Sequence, residues 1–186
     1  MPHAPLHVAP DGWVSGVDRL RSPNADARPQ GAHVSLIVIH NISLPPGCYG
    51  GGHVERLFMS QLAADEGFLA RVAGAQVSAH FLVDRSGRCI QFVSCLDRAW
   101  HAGASAFRGR QRCNDYSVGI ELEGSDFEPF TDAQYVSTSA LLHALAVAYP
   151  IEAVVGHSDI ATDRKTDPGP FFQWDRLLVP RELLAH

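Results

Sequence analysis

Toward the C-terminal end the chain reads Gly156-His157-Ser158-Asp159-Ile160 and then, past a short polar gap, Lys165-Thr166-Asp167-Pro168-Gly169-Pro170. A histidine closing an apolar run, followed by an aspartate between a lysine and a Pro-Gly-Pro turn, has the makings of half a zinc site with a cation beside it. Such a site would do hydrolytic chemistry. The same residue types also make ordinary surface loops after strands, so this segment alone leaves both readings open.

A hydrolytic zinc takes three protein ligands, usually histidines with a carboxylate, and keeps one position for water. His40 ends a second short apolar run, Ser35-Leu36-Ile37-Val38-Ile39-His40. If the two runs are neighbouring strands of one sheet, His40 and His157 reach the same edge, and Asp167 follows on a loop long enough to return there. His40, His157 and Asp167 are therefore the expected ligand set. His80 and His101 are also flanked by apolar residues, and spacing does not exclude them. Glu121 lies in Tyr116 to Glu123, where Val118, Ile120 and Leu122 take one face and the glutamates the other. A carboxylate on a buried strand is costly unless paired or functional, and near a zinc-activated water it serves as a general base. Glu123, a step nearer the strand end, is expected to be solvated. Lys165 would place an ammonium where an oxyanion forms.

The elements that must position these groups are legible in outline. The run at 35–40 reads as a central strand buried on both faces, and residues 53–63 have helical periodicity. Val77 to Asp84 and Cys89 to Val93 form a hairpin about Arg85-Ser86-Gly87-Arg88. Thr131 with Gln134 makes a capping box for a helix that runs to Tyr149 and stops at Pro150. Ala153 to His157 is a short buried strand, and Trp174 to Leu184 is expected to be a closing helix, interrupted at Pro180. Residues 1–33, rich in Pro, Gly, Ala and Asp, should form an extended arm. The expected fold is α/β: one domain over residues 1–186, with a central mixed sheet flanked by helices.

At 186 residues the chain buries a core without staples. Its net charge of -5, with scattered cations, argues against a nucleic-acid partner. The N-terminus lacks the basic and apolar regions of a secretory signal, and no apolar run reaches the roughly 20 residues of a membrane span. A cytoplasmic protein with reduced cysteines, no membrane partner and a monomeric state is expected; Cys48, Cys89, Cys95 and Cys113 lack zinc-knuckle spacing.

Together with the segments above, Val38-Ile39-His40-Asn41-Ile42-Ser43-Leu44-Pro45-Pro46-Gly47, Val77-Ser78-Ala79-His80-Phe81, Arg98-Ala99-Trp100-His101-Ala102-Gly103, Arg112-Cys113-Asn114-Asp115 and Gly119-Ile120-Glu121-Leu122-Glu123-Gly124 resemble, in order, the AmpD-type N-acetylmuramoyl-L-alanine amidases. These belong to the zinc amidase group that includes phage amidase lysozymes and peptidoglycan recognition proteins. The resemblance implies that fold, and one zinc ion per chain on His40, His157 and Asp167, with Glu121 as proton acceptor and Lys165 as transition-state stabiliser. His80 and His101 then fall to the pocket wall or core. It implies hydrolysis of the amide between the lactyl group of 1,6-anhydro-N-acetylmuramic acid and L-alanine, on small muropeptides recycled in the cytoplasm. Asn41, Ala99 and Arg112 match positions that meet the sugar or the stem-peptide carboxylates. One departure is Gln76, where the family usually carries an arginine; a neutral amide cannot replace a bidentate cation, unless Arg71 or another cation substitutes. The alternatives are a peptidoglycan-binding module that lacks catalysis, which would have lost a ligand, and an amidase of intact wall, which would need an export signal.

Overall fold

The computed structural model describes residues 5–63 and 67–185, so the first four residues of the expected arm lie outside it. The β-branched run forms β3 (Leu36–Ile42), which ends two residues beyond the run, and β9 (Ser117–Glu123) lies parallel beside it. Each is a seven-residue strand in the interior of a six-stranded sheet. Along the chain the other strands of that sheet are β1 (Asp18–Arg19), β4 (Phe81–Val83), β5 (Cys89–Gln91) and β10 (Ala153–Gly156), in the order β1-β5-β4-β9-β3-β10. Only the β4–β5 hairpin is antiparallel, so the sheet is mixed, as the sequence implies. Gly87 takes φ +83 in that hairpin, where a Cβ would lie 2.8 Å from the Ala133 carbonyl oxygen. Glycine is needed there both for conformation and for space.

Among the described residues, α1 (His53–Phe58), α2 (Phe68–Val72) and α3 (Asp132–Ala148) flank the sheet. Thr131 caps α3, its side chain accepting from Gln134 N–H while the Gln134 side chain accepts from Thr131 N–H. Such a cap contributes about 1 kcal/mol. α3 lays Tyr135, Leu141, Leu142 and Leu145 over the face that carries Ile37, Ile39, Val118, Ile120 and Leu122. The odd positions of β9 and the even positions of β3 turn to the opposite face, and that face holds the chemistry.

Beyond Pro5 the arm is stitched into the molecule. β1 extends the sheet beside β5, β2 (Ala25–Ala27) pairs with β6 (Asp97–Ala99), and later in the chain β7 (Ala106–Phe107) pairs with β8 (Arg110–Gln111). Buried Gln91 accepts from Val14 N–H at 2.7 Å and donates to the Gly12 carbonyl at 2.9 Å. The Arg28 guanidinium donates to the carbonyls of Cys95, Asn114 and Ser117. The closing segment departs from expectation: Trp174–Arg176 and Arg181–Leu183 are single 3-10 turns, and Leu184 bridges to Val154. Pro180 explains the difference. It disfavours helical backbone at the residue before it and removes a donor, leaving too few residues on either side for a helix. Among the described residues, no helix is long and apolar enough to cross a membrane.

Candidate functional site

Parallel β10, β3 and β9 end at one edge, the place where open α/β sheets form crevices. Register sets His40 directly opposite Glu121, and Gly156 opposite Ile39. His157 therefore arrives beside His40, although it begins a short helix, α4 (His157–Ile160), rather than closing the strand. The following loop turns back so that Ser158 N–H donates to the Asp167 carbonyl at 2.9 Å, which delivers the Asp167 carboxylate to both histidines. A side chain on Gly156 would lie 2.8 Å from Pro168 Cδ, so glycine allows that close return.

His40 Nδ1, His157 Nδ1 and Asp167 Oδ2 lie 3.0 Å from one another in all three pairs. Their other contacts show what this triangle wants. His157 Nε2 faces the Ala102 carbonyl at 3.2 Å, an acceptor, so that nitrogen carries the proton and Nδ1 presents a lone pair. His40 Nε2 lies 2.9 Å from His101 Nδ1, and His101 Nε2 lies 3.2 Å from Ser117 Oγ. With His40 and His101 each protonated at Nε2, this chain too leaves His40 Nδ1 as a lone pair. Two imidazole lone pairs and a carboxylate oxygen then converge on one point, an arrangement that a cation satisfies. The 3.0 Å edges are close to the roughly 3.4 Å between ligands of a tetrahedral zinc with bonds of about 2.1 Å. The donor set fits zinc.

The rival histidines are spoken for. His80 Nδ1 accepts from Gly119 N–H at 3.0 Å and its Nε2 lies between the Asp97 carbonyl and the Arg28 guanidinium; His101 is held between His40 and Ser117. His101 is not a bystander, because it fixes the orientation of His40. It lies against β9 where Gly119 offers no side chain: a Cβ there would be 2.5 Å from His101 Cγ. A glycine inside a buried strand is itself a sequence signal of close approach, and it could have directed attention to His101.

Burial holds His40 down to about 4 against the pull of Asp167, and keeps His101 well below the usual imidazole range. Burial opposes ionisation of Asp167, but the imidazoles of His157 and His40 beside it prevail and lower its pKa. Glu121 is raised well above the usual carboxylate range by burial and then by Asp167, with Lys165 acting the other way. These directions describe the polypeptide itself; a divalent cation among the donors would draw Glu121 down again. Glu121 Oε1 lies 4.0 Å from His40 Nδ1, and its Oε2 is buried without a hydrogen-bond partner. Glu121 thus keeps an unpartnered buried carboxylate oxygen beside the His40–His157–Asp167 triangle.

Lys165 is exposed and makes no ion pair among the described residues. It is also the only lysine in the chain, against fourteen arginines, a signal available from sequence. Asn41 sits one residue past His40 and Arg112 projects into solvent, paired with Asp115 at 3.1 Å. Ala99 is fully buried in the apolar cluster with Ile90, Phe92 and Val93. Gln76 lies exposed between α2 and β4, and Arg71 is exposed at the end of α2. Glu123 corrects the expectation that it is solvated: it is buried, accepting from Gly50 N–H and Arg85 N–H, because its strand end is covered by the glycine-rich loop after β3.

The N-acetylmuramoyl-L-alanine amidase family profile matches residues 30–170. The 1,6-anhydro-N-acetylmuramyl-L-alanine amidase AmpD of Salmonella typhimurium is 48% identical over 183 residues, which is 96% of this chain and 98% of that protein. A crystal structure of a selenomethionine AmpD derivative superposes with TM-score 0.88 at 46% identity, covering 94% of this chain and 98% of that one. The Escherichia coli amidase AmiD, in complex with anhydro-N-acetylmuramic acid-L-Ala-D-gamma-Glu-L-Lys, superposes with TM-score 0.58 at 34% identity, over 81% of this chain and 59% of its own.

Proposed function

Because the chain belongs to the AmpD-type N-acetylmuramoyl-L-alanine amidases, we propose that it is a zinc-dependent hydrolase of the lactyl–L-alanine amide in 1,6-anhydro-muropeptides, working in the cytoplasm. The observation that carries the zinc reading is the convergence of His40 Nδ1, His157 Nδ1 and Asp167 Oδ2 at 3.0 Å. When bound there, zinc supplies the Lewis acidity that makes water a nucleophile at neutral pH. Glu121 Oε2 takes up a proton from the attacking water and returns one to the departing amine. Lys165, on the loop that carries Asp167, neutralises charge growing on the lactyl carbonyl oxygen. Buried His101 and the Ala102 carbonyl keep both histidines in the ligand tautomer. Asn41 and Arg112 are proposed to meet the sugar and a stem-peptide carboxylate. Four free cysteines, two of them buried, support a reducing compartment; fractionation that finds the chain outside the cytoplasm would remove that part.

The test is Glu121→Gln, assayed by mass spectrometry on an anhydro-muropeptide. We expect turnover to fall about 10²–10⁴-fold while zinc content stays near one per chain, on the scale of a lost acid–base group. Chelator should abolish wild-type turnover and zinc restore it. Undiminished turnover in Glu121→Gln, or in chelated protein, would refute the mechanism.

A further inference from the structure

Asp126 lies on the loop after β9, outside the metal triangle and outside every group placed in the reaction above. Its Oδ1 accepts from Asn41 Nδ2 at 2.7 Å, and its Oδ2 accepts from Thr166 Oγ1 at 2.5 Å. Asn41 follows the ligand His40, and Thr166 stands between Lys165 and the ligand Asp167. One carboxylate thus ties together the two segments that carry ligands from opposite ends of the sequence. The approach is close: Gly169 takes φ +83, and a Cβ there would lie 2.4 Å from Asp126 Oδ1.

The hydrogen bonds also settle which way the Asn41 amide points. Its second Nδ2 proton goes to the Pro168 carbonyl at 3.1 Å. Both partners of Nδ2 are pure acceptors, so the amide cannot be flipped. Both donors are consumed, and Oδ1 has no protein partner among the described residues, nor is it among the sealed polar atoms. What Asn41 offers outward is one acceptor.

We propose that Asp126 is a positioning residue that locks Asn41 as a hydrogen-bond acceptor, so that the site selects an N–H or O–H donor on the substrate. This rests on the amidase reading above. The 1,6-anhydro bridge replaces the 1- and 6-hydroxyls with a single bridging oxygen, so the donors remaining on that sugar are its acetamido N–H and its 4-hydroxyl. A substrate glycosylated at the 4-position separates the two sources. If it binds as well as the monosaccharide, the acetamido group is the donor; if KM rises in wild type but not in Asn41→Ala, it is the hydroxyl.

Three variants test the proposal: Asp126→Ala, Asn41→Ala and the double variant. Freed from Asp126, the Asn41 amide can rotate, and loss of one oriented hydrogen bond corresponds to about a tenfold fall in kcat/KM, carried mostly by KM. If Asp126 acts through Asn41, adding Asp126→Ala to Asn41→Ala raises KM no further. Zinc content should stay near one per chain in all three. Independently of turnover, the Asn41 side-chain NH2 protons in an amide NMR spectrum should exchange slowly in wild type and lose that protection in Asp126→Ala. Additive KM effects, an unchanged NH2 signal, or loss of zinc from Asp126→Ala would overturn the proposal. Wild-type protein that cleaves no muropeptide yet keeps the protected NH2 pair would instead refute the amidase reading and leave the positioning intact.

Discussion

Gly119→Ala is a small change that reaches the candidate metal site without touching His40, His157 or Asp167. The added methyl would stand 2.5 Å from His101 Cγ, 2.6 Å from Nδ1 and 2.8 Å from Cδ2. Carbon contacts settle at about 3.5–4.0 Å, so the imidazole must retreat by about 1 Å. That displacement breaks the 2.9 Å contact with His40 Nε2 and the 3.2 Å contact with Ser117 Oγ. Two lost hydrogen bonds cost about 1 kcal/mol each, and overpacking adds about 1–3. The stiffer unfolded chain returns only about 0.4–1 kcal/mol. The steric terms win, and the net loss is about 2 to 5 kcal/mol.

Two assays read it: urea unfolding followed by tryptophan fluorescence, and zinc affinity by competition with a chelating dye. With His40 no longer oriented, affinity should fall 10- to 100-fold, the usual cost of losing a group that holds a metal ligand in place. The control is the same substitution in a His101→Ala background, where the methyl enters space the ring has vacated and should cost under about 1 kcal/mol. A Gly119→Ala protein with the stability and zinc affinity of wild type would refute the reasoning. So would an equal cost in both backgrounds.

Two further outcomes follow from the same geometry. Burial, and then the Arg28 charge, hold His80 down to about 3 in the folded chain, and its Nδ1 must stay unprotonated to accept from Gly119 N–H. The unfolded chain, with a histidine near 6.5, therefore takes up this proton first. The His80 contribution to stability is whole above about pH 6.5 and is lost as pH falls from there toward 3; in urea unfolding from pH 7 to 5, His80→Gln should flatten the decline by up to about 1.4 kcal/mol per pH unit, and a slope identical to wild type would refute this. Lys165→Ala should lower kcat by about 10²–10³ with zinc content unchanged, and Lys165→Arg should rescue it poorly because a planar fork cannot replace a compact ammonium; since Lys165 is the only lysine, an amine-directed label that spares activity while modifying it would count equally against its role.

Elements whose identity depends on neighbours in sequence were legible: β3 from its β-branched run, the hairpin about Asp84 to Arg88, α3 from Thr131, Gln134 and Pro150. Illegible were features made by polar residues whose partners lie far along the chain. Gln91 meets Gly12 and Val14, and Arg28 meets Ser117, at separations of 77 to 89 residues. Nothing in their local context distinguishes them from surface residues. The same holds for Glu123, whose burial depends on a loop more than seventy residues away.

The histidines show most clearly where spacing stops and structure begins. His40, His80, His101 and His157 all sit in apolar surroundings, and all four are buried or largely so. What separates candidate ligand from support is the hydrogen-bond capacity left over after each ring has met its protein partners. His80 spends one nitrogen on Gly119 N–H and the other on the Asp97 carbonyl, and His101 spends both between His40 and Ser117. His40 and His157 each spend only Nε2, and their remaining Nδ1 atoms face each other and a carboxylate oxygen. A cation would resolve that opposition of lone pairs, and so the candidate metal site is defined by the donors the fold leaves unspent rather than by histidine itself.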